Sequence, residues 1–123
     1  MGRILITGGA GFIGHNTALM ALEMGHEVHI LDNLSTGLQA NADLVLKNGG
    51  EFHFADIRDA EAVEVCMADI DAVIHLAAQV SVPASVDNPK ENWDVNVLGT
   101  ANVLNTARKL GITRVIVASS AAV

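Results

Sequence analysis

The sequence predicts a doubly wound parallel α/β sheet of five strands in the order 3-2-1-4-5, ending after the fifth strand. Three observations carry that expectation. Five short apolar runs alternate with helical patterns along the chain. The first run, Ile4-Leu5-Ile6, passes straight into the glycine cluster Gly8-Gly9-Ala10-Gly11 and then into a helix. No internal repeat, low-complexity stretch or interdomain linker interrupts the alternation. At 123 residues, half of them hydrophobic, the chain suffices for one domain with a sizeable core.

The elements follow in order. A first helix is expected over 11–24, with Ile13, Leu19, Leu22 and Met24 turned inward and Gly25 closing it. Glu27-Val28-His29-Ile30-Leu31-Asp32 reads as the second strand, and Asn33-Leu34-Ser35-Thr36-Gly37 as a loop in which Ser35 or Thr36 could cap a helix over 38–47. A third strand is expected over 51–55. Asp59 then stands as the N-cap of a helix over 60–68. The run over 71–78 is apolar almost throughout, as befits a central parallel strand covered on both faces. Pro83 and Pro89 keep the following stretch irregular. The longest helix is expected over 90–110, with Val97, Ala101, Leu104 and Ala107 inward, and the fifth strand over 114–120.

The chemistry begins at the first turn. Gly9-x-Gly11-x-x-Gly14 between a strand and a helix presents backbone N–H groups and the positive end of a helix dipole, the setting for a pyrophosphate. Asp32, at the end of the second strand, lies where a carboxylate accepts hydrogen bonds from the ribose hydroxyls of a dinucleotide and repels a 2′-phosphate. Asn33 and Leu34 follow it, with no adjacent base, so the expected cofactor is NAD in a Rossmann-type domain. His75, at a strand end beside apolar residues, reads as structural and is given no role. No metal site is expected.

Bulk properties narrow the classes. The formal net charge of −7 argues against nucleic acid or an anionic membrane as partners. The one cysteine, Cys66, cannot form an intrachain disulfide, which fits a reducing compartment. No apolar run approaches the length of a membrane span, and the glycine cluster and lack of a cleavage region argue against a signal peptide. Met1-Gly2 begins like a myristoylation site, but Ile6 stands where Ser or Thr is required. A cytoplasmic location is expected.

With these motifs in place the chain resembles the NAD-dependent epimerase/dehydratase family of the extended short-chain dehydrogenase/reductases. Thr7-Gly8-Gly9-Ala10-Gly11-Phe12-Ile13-Gly14 is similar to that family's nucleotide-binding turn, and Asp32-Asn33-Leu34-Ser35-Thr36-Gly37 to its adenosine-ribose loop. Asp56-Ile57 resembles the pair that contacts adenine, Asp56 bonding the amino group and Ile57 packing on the ring. Leu76-Ala77-Ala78-Gln79 resembles the segment along the cofactor's middle and nicotinamide side, and Asn96 an asparagine that tethers its helix near the cofactor. Ser119-Ser120 resembles the end of the family's fifth strand, which implies that Ser120 is the catalytic hydroxyl on the sugar's reacting oxygen. Sugar-nucleotide 4,6-dehydratases carry Asp-Glu next; here Ala121-Ala122 stand there and favour an epimerase.

The resemblance implies a nucleotide-sugar substrate, with hydride transfer at C4 through a keto intermediate. It also implies a tyrosine and, four residues on, a lysine, yet the chain has no tyrosine. Residues 1–123 are therefore expected to be the NAD-binding Rossmann portion of such an enzyme, without its later strands or sugar-binding domain and inactive alone. The alternatives are a stand-alone NAD-binding or sensor module, or part of a related dehydratase, reductase or decarboxylase. Val80, where well-known galactose epimerases carry lysine, loosens the assignment to one sugar. Relatives form homodimers through the long helix and the helix bearing the tyrosine. With half of that surface missing, dimerisation of this chain is not expected.

Overall fold

The structure, a computed structural model, describes residues 2–77 and 94–118. Ala78, Gln79 and Ser120, along with Val80, the two prolines and Ala121-Ala122, lie outside the described residues. The elements are β1 (Arg3–Thr7), α1 (Phe12–Glu23), β2 (Glu27–Asp32), α2 (Gln39–Lys47), β3 (Glu51–Phe54), α3 (Ala60–Met67), β4 (Ala72–His75), a π-helical turn (Asp94–Leu98), α4 (Gly99–Lys109) and β5 (Arg114–Val117). The strands form one parallel sheet in the order β3-β2-β1-β4-β5, as the sequence predicts. Thr7, the last residue of β1, stands opposite Leu31 of β2 and His75 of β4. The strands thus end together, and the turns after them share one edge of the sheet.

Alternation along each strand sends successive side chains to opposite faces, so the sheet carries two cores. Leu5, Leu31 and Val73 meet Ile57, Val63, Met67, Val103 and Ala107 on the α3/α4 face. Ile6, Val28 and Ile30 meet Ala18, Ala21, Ala42 and Val45 on the α1/α2 face. Among the described residues no helix is long and apolar enough to cross a membrane.

Helix positions match the sequence more closely than helix faces do. α1 buries Gly14, Ala18 and Ala21, while Ile13 and Met24, expected inside, are 67% and 60% exposed. The cause is close approach: small residues let the helix axis settle near the sheet, and the large apolar residues are displaced to the flanks, where Leu19 and Leu22 pack only partly. α4 is displaced in the same way. It buries Gly99, Val103, Thr106 and Ala107 and leaves Leu104 42% exposed, as is Val97 in the π-helical turn before it. A π-helical turn holds more residues per turn than an α-helix, so a count at 3.6 residues through Asp94–Leu98 drifts off the true inner face. Neither Ser35 nor Thr36 caps α2; Leu38 occupies the N-cap position with no side-chain bond. Asp59 does cap α3, its Oδ1 accepting from the N–H groups of Glu61 and Ala62 at 3.2 and 3.3 Å.

Candidate functional site

The glycine turn is built by exclusion of side chains. Gly8 has φ +72°, in the left-handed region, and a Cβ there would lie 2.9 Å from the Ala77 nitrogen. A Cβ on Gly14 would overlap the carbonyl oxygen of Gly8. Helix α1 therefore rests directly on the turn. The turn is fixed in place by the Gly8 N–H donating to Leu31 O at 2.8 Å and the Gly11 N–H to Gly8 O at 3.1 Å. Gly11, at the N-cap, makes no side-chain cap bond and no acid stands in the first turn. The opening N–H groups of a helix have no intrahelical acceptor, so those of Phe12, Ile13 and Gly14 point out from the sheet edge with the positive end of the dipole. A small anion is what such a terminus accepts.

Asp32 closes the other side of this mouth. Its carboxylate is 8% exposed, and each oxygen takes one backbone N–H: Oδ2 from Ala10 at 3.0 Å and Oδ1 from Leu34 at 2.8 Å. A carboxylate has about four acceptor positions, so hydrogen-bonding capacity is left for a diol. The loop after it is drawn back onto the glycine turn, with the Leu38 N–H and the Asn41 amide both donating to Ala10 O at 3.0 and 2.8 Å. Leu34 sits at φ +61°, a conformation costing a non-glycine residue about 1–2 kcal/mol. Bonds from Leu34 N–H to Asp32 and from Ser35 N–H to Asn33 Oδ1 (3.0 Å) hold that shape. Backbone strain of this kind collects at binding loops.

Beyond β3, Asp56 is engaged by Arg58, whose Nη2 lies 2.6 Å from Oδ2 and whose N–H and Nε reach Oδ1 at 2.9 and 3.0 Å; the Asn33 amide adds a bond at 3.1 Å. The Arg58 hydrogen bonds hold the carboxyl down at about 2. An adenine amino group would have to displace Arg58 to reach it. Ile57 follows Asp56. It is 3% exposed, lies in the α3/α4 core, and sits so close to Gly99 that a Cβ there would overlap it. Its side chain seats α4. The Asn102 amide fixes this corner through bonds to the carbonyls of Ile57 and Arg58, both at 3.0 Å.

The sequence reading missed a buried polar chain behind the turn. Thr7 Oγ1 accepts the N–H groups of Leu76 and Ala77 at 3.0 and 3.1 Å, and lies 2.7 Å from His75 Nδ1. With its lone pairs taken, the hydroxyl donates its proton to Nδ1, so the imidazole proton resides on Nε2 and is donated to Thr100 Oγ1 at 2.8 Å. Burial pushes the His75 pKa down to about 4, which keeps the ring neutral. The imidazole joins β1, β4 and α4 beneath Leu76 and Ala77. A threonine at the end of β1 and a histidine at the end of β4 were visible in the sequence. Their partnership was not, because it depends on strand register.

Gly8, Gly11–Gly14, Asp32–Gly37, Asp56, Leu76 and Ala77 thus converge on the carboxyl ends of β1–β4, with half-buried Asn96 in the π-helical turn next to Gly99.

Comparison with known proteins places this geometry among relatives. The sequence profile of the NAD dependent epimerase/dehydratase family matches residues 4–123. A putative UDP-glucose 4-epimerase of Methanocaldococcus jannaschii is 46% identical over 118 residues, covering 95% of this chain and 37% of that protein. A UDP-glucose 4-epimerase of Klebsiella pneumoniae is 38% identical over 126 residues, covering 98% of this chain and 91% of that protein. The crystal structure of a UDP-glucose 4-epimerase from Stenotrophomonas maltophila, with bound NAD and formylated UDP-arabinopyranose, superposes with a TM-score of 0.92 at 32% identity, over all of this chain and 38% of that one. The chain spans little more than a third of the length of two of these three.

Proposed function

The chain belongs to the NAD dependent epimerase/dehydratase family, and from that premise we propose that it binds NAD as the nucleotide-binding portion of a sugar-nucleotide epimerase. The observation that carries this reading is the pairing of Asp32 with the uncapped start of α1: an oriented, nearly buried carboxylate facing a helix terminus that has no acceptor of its own. The residues fit the group. Gly8 and Gly14 let the turn close against β4 and α1, since a Cβ on either would strike backbone, and Asp32 retains acceptor capacity for a ribose.

Gly8, Gly11, Phe12, Ile13 and Gly14 would hold the pyrophosphate, and Asp32 with the loop Asn33, Leu34, Ser35, Thr36 and Gly37 the adenosine ribose. Asp56 would take the adenine amino group once Arg58 yields, while Ile57 shapes that corner from within the core. Leu76 and Ala77, continuing into Ala78 and Gln79, would follow the cofactor toward its nicotinamide, with Asn96 alongside. Ser120 would bond the sugar's reacting oxygen. What NAD supplies when bound is reversible hydride acceptance, here at C4 of a nucleotide-linked sugar. The phenolic base that such a step needs is not in this chain, which has no tyrosine. The chain by itself therefore binds without turning over, and a cytoplasmic location goes with that role.

Two assays test the reading. NADH fluorescence should rise saturably on titration with the chain and stay flat with Asp32→Ala. UDP-glucose incubated with the chain and NAD should yield no UDP-galactose. A folded chain that leaves NADH fluorescence unchanged refutes the binding, and epimerised product refutes the inactivity.

A further inference from the structure

At the other end of the sheet, away from the cofactor turns, β2 and β3 open with the same pattern, Glu27-Val28-His29 and Glu51-Phe52-His53. Alternation places the glutamate and the histidine of each strand on one face. Val28 and Phe52, between them, pack toward the α1/α2 core, so all four polar side chains occupy the opposite face. The parallel register sets His29 directly across from Glu51. One ligand atom each of His29, Glu51 and His53 then lies within 4.8 Å of the others. His29 Nδ1 is 2.9 Å from Glu51 Oε2 and 3.1 Å from His53 Nε2.

We propose that His29, Glu51 and His53 form a binding site for a divalent transition cation of the zinc class, bridging β2 and the edge strand β3.

The surroundings of His29 support it. Its Nε2 donates to Glu27 Oε2 at 2.8 Å, and its Nδ1 faces Glu51 and His53. Glu27 is itself anchored by Arg3 Nε at 3.1 Å. A carboxylate behind the far nitrogen of a histidine is the usual support of a metal-bound imidazole. In front of Nδ1 stands the Glu51 oxygen at 2.9 Å, a contact that a proton or a divalent cation between the two atoms satisfies. Two imidazole nitrogens and one carboxylate suit zinc and its neighbours better than calcium or magnesium, which take oxygen, and water would complete the coordination.

Bond lengths of about 2.0–2.1 Å in a tetrahedral site put ligand atoms about 3.3 Å apart, a few tenths of an ångström wider than the two distances from Nδ1. The rings lie 9° from parallel, so ligation also requires the half-buried His53 to turn about its Cβ–Cγ bond. The Glu51 side chain is 63% exposed and free to follow.

The test is calorimetric titration of the chelator-stripped 123-residue chain with zinc chloride. One zinc per chain is expected. Affinity should fall by about tenfold or more in His53→Gln and in Glu51→Gln, and by ~10–100-fold in Glu27→Gln, which removes the supporting carboxylate. His26→Gln, outside the cluster, should bind zinc like the parent. Zinc should also raise the thermal midpoint of the parent and not that of His53→Gln, since a ligand specific to the native state stabilises by mass action. Glu51 is too exposed for its substitution to threaten folding, and circular dichroism of each variant checks this. Absence of zinc binding, or binding of undiminished affinity in both His53→Gln and Glu51→Gln, overturns the proposal.

Discussion

Thr7→Val tests the claim that the turn rests on a buried polar chain. Valine preserves the shape and burial of this fully buried side chain and removes only its hydroxyl. Three interactions are lost. The Leu76 N–H keeps a partner, because it also donates to the Thr7 carbonyl at 3.1 Å. The Ala77 N–H and His75 Nδ1 lose theirs. A buried polar group left without a partner costs about 1–3 kcal/mol; His75 Nδ1 bears that cost, and the half-buried Ala77 N–H adds a smaller one. Against a total stability of about 5–15 kcal/mol for a domain, that is a large fraction. Thr7→Ser keeps the hydroxyl and forfeits one methyl group, about 0.8 kcal/mol before any cavity term. Urea denaturation followed by circular dichroism separates the two: the valine variant should unfold at a much lower urea midpoint than the serine variant, with the slope unchanged. Equal midpoints for valine and serine, or a valine cost below about 1 kcal/mol, would show that the hydroxyl holds nothing.

Other outcomes follow from the same geometry. His75, held near 4 by burial against 6.5 in an exposed histidine, stays neutral in the native chain while the unfolded chain gains a proton. Stability should therefore fall as pH drops from ~6.5 to ~4, by at most about 3 kcal/mol, and that part of the slope should vanish in His75→Gln. Asp56, held at about 2 against 3.8, contributes stability that is present above ~3.8 and lost as pH falls through ~2. Arg58→Ala should raise the Asp56 carboxyl toward the ordinary range in an NMR titration; an unmoved carboxyl would contradict the assigned cause. Gly14→Ala must push α1 off the Gly8 carbonyl, at a cost of about 1–3 kcal/mol or more, and should weaken nucleotide binding even where the protein stays folded.

The strand pattern and the glycine turn were legible because each depends on local sequence. An apolar run, a positive-φ glycine and a helix start are neighbours in the chain, and a carboxylate 22 residues beyond Ala10 closes the unit through a single bond. The inward faces of α1 and α4 were legible only in part: Ala107 is buried as expected, and Leu19 and Leu22 pack partly against the core. In α1 the sheet-facing residues are the small ones, Gly14, Ala18 and Ala21, which a search for large apolar residues passes over. In α4 the π-helical turn shifts the phase. Pairings across strands, such as Thr7 with His75 and His29 with Glu51 and His53, depend on register between segments 22–68 residues apart. The repeated Glu-x-His at two strand starts was the one local sign of the second cluster.

The central claim is that the turn after β1 and Asp32 at the end of β2 together form a binding site for the adenosine half of NAD. Calorimetry of the 123-residue chain with NAD and, in parallel, NADP tests it most directly. Saturable binding of one NAD per chain is predicted, with NADP weaker by about tenfold or more because its 2′-phosphate meets the Asp32 carboxylate. A folded chain that binds neither nucleotide, or that binds NADP as tightly as NAD, would contradict it.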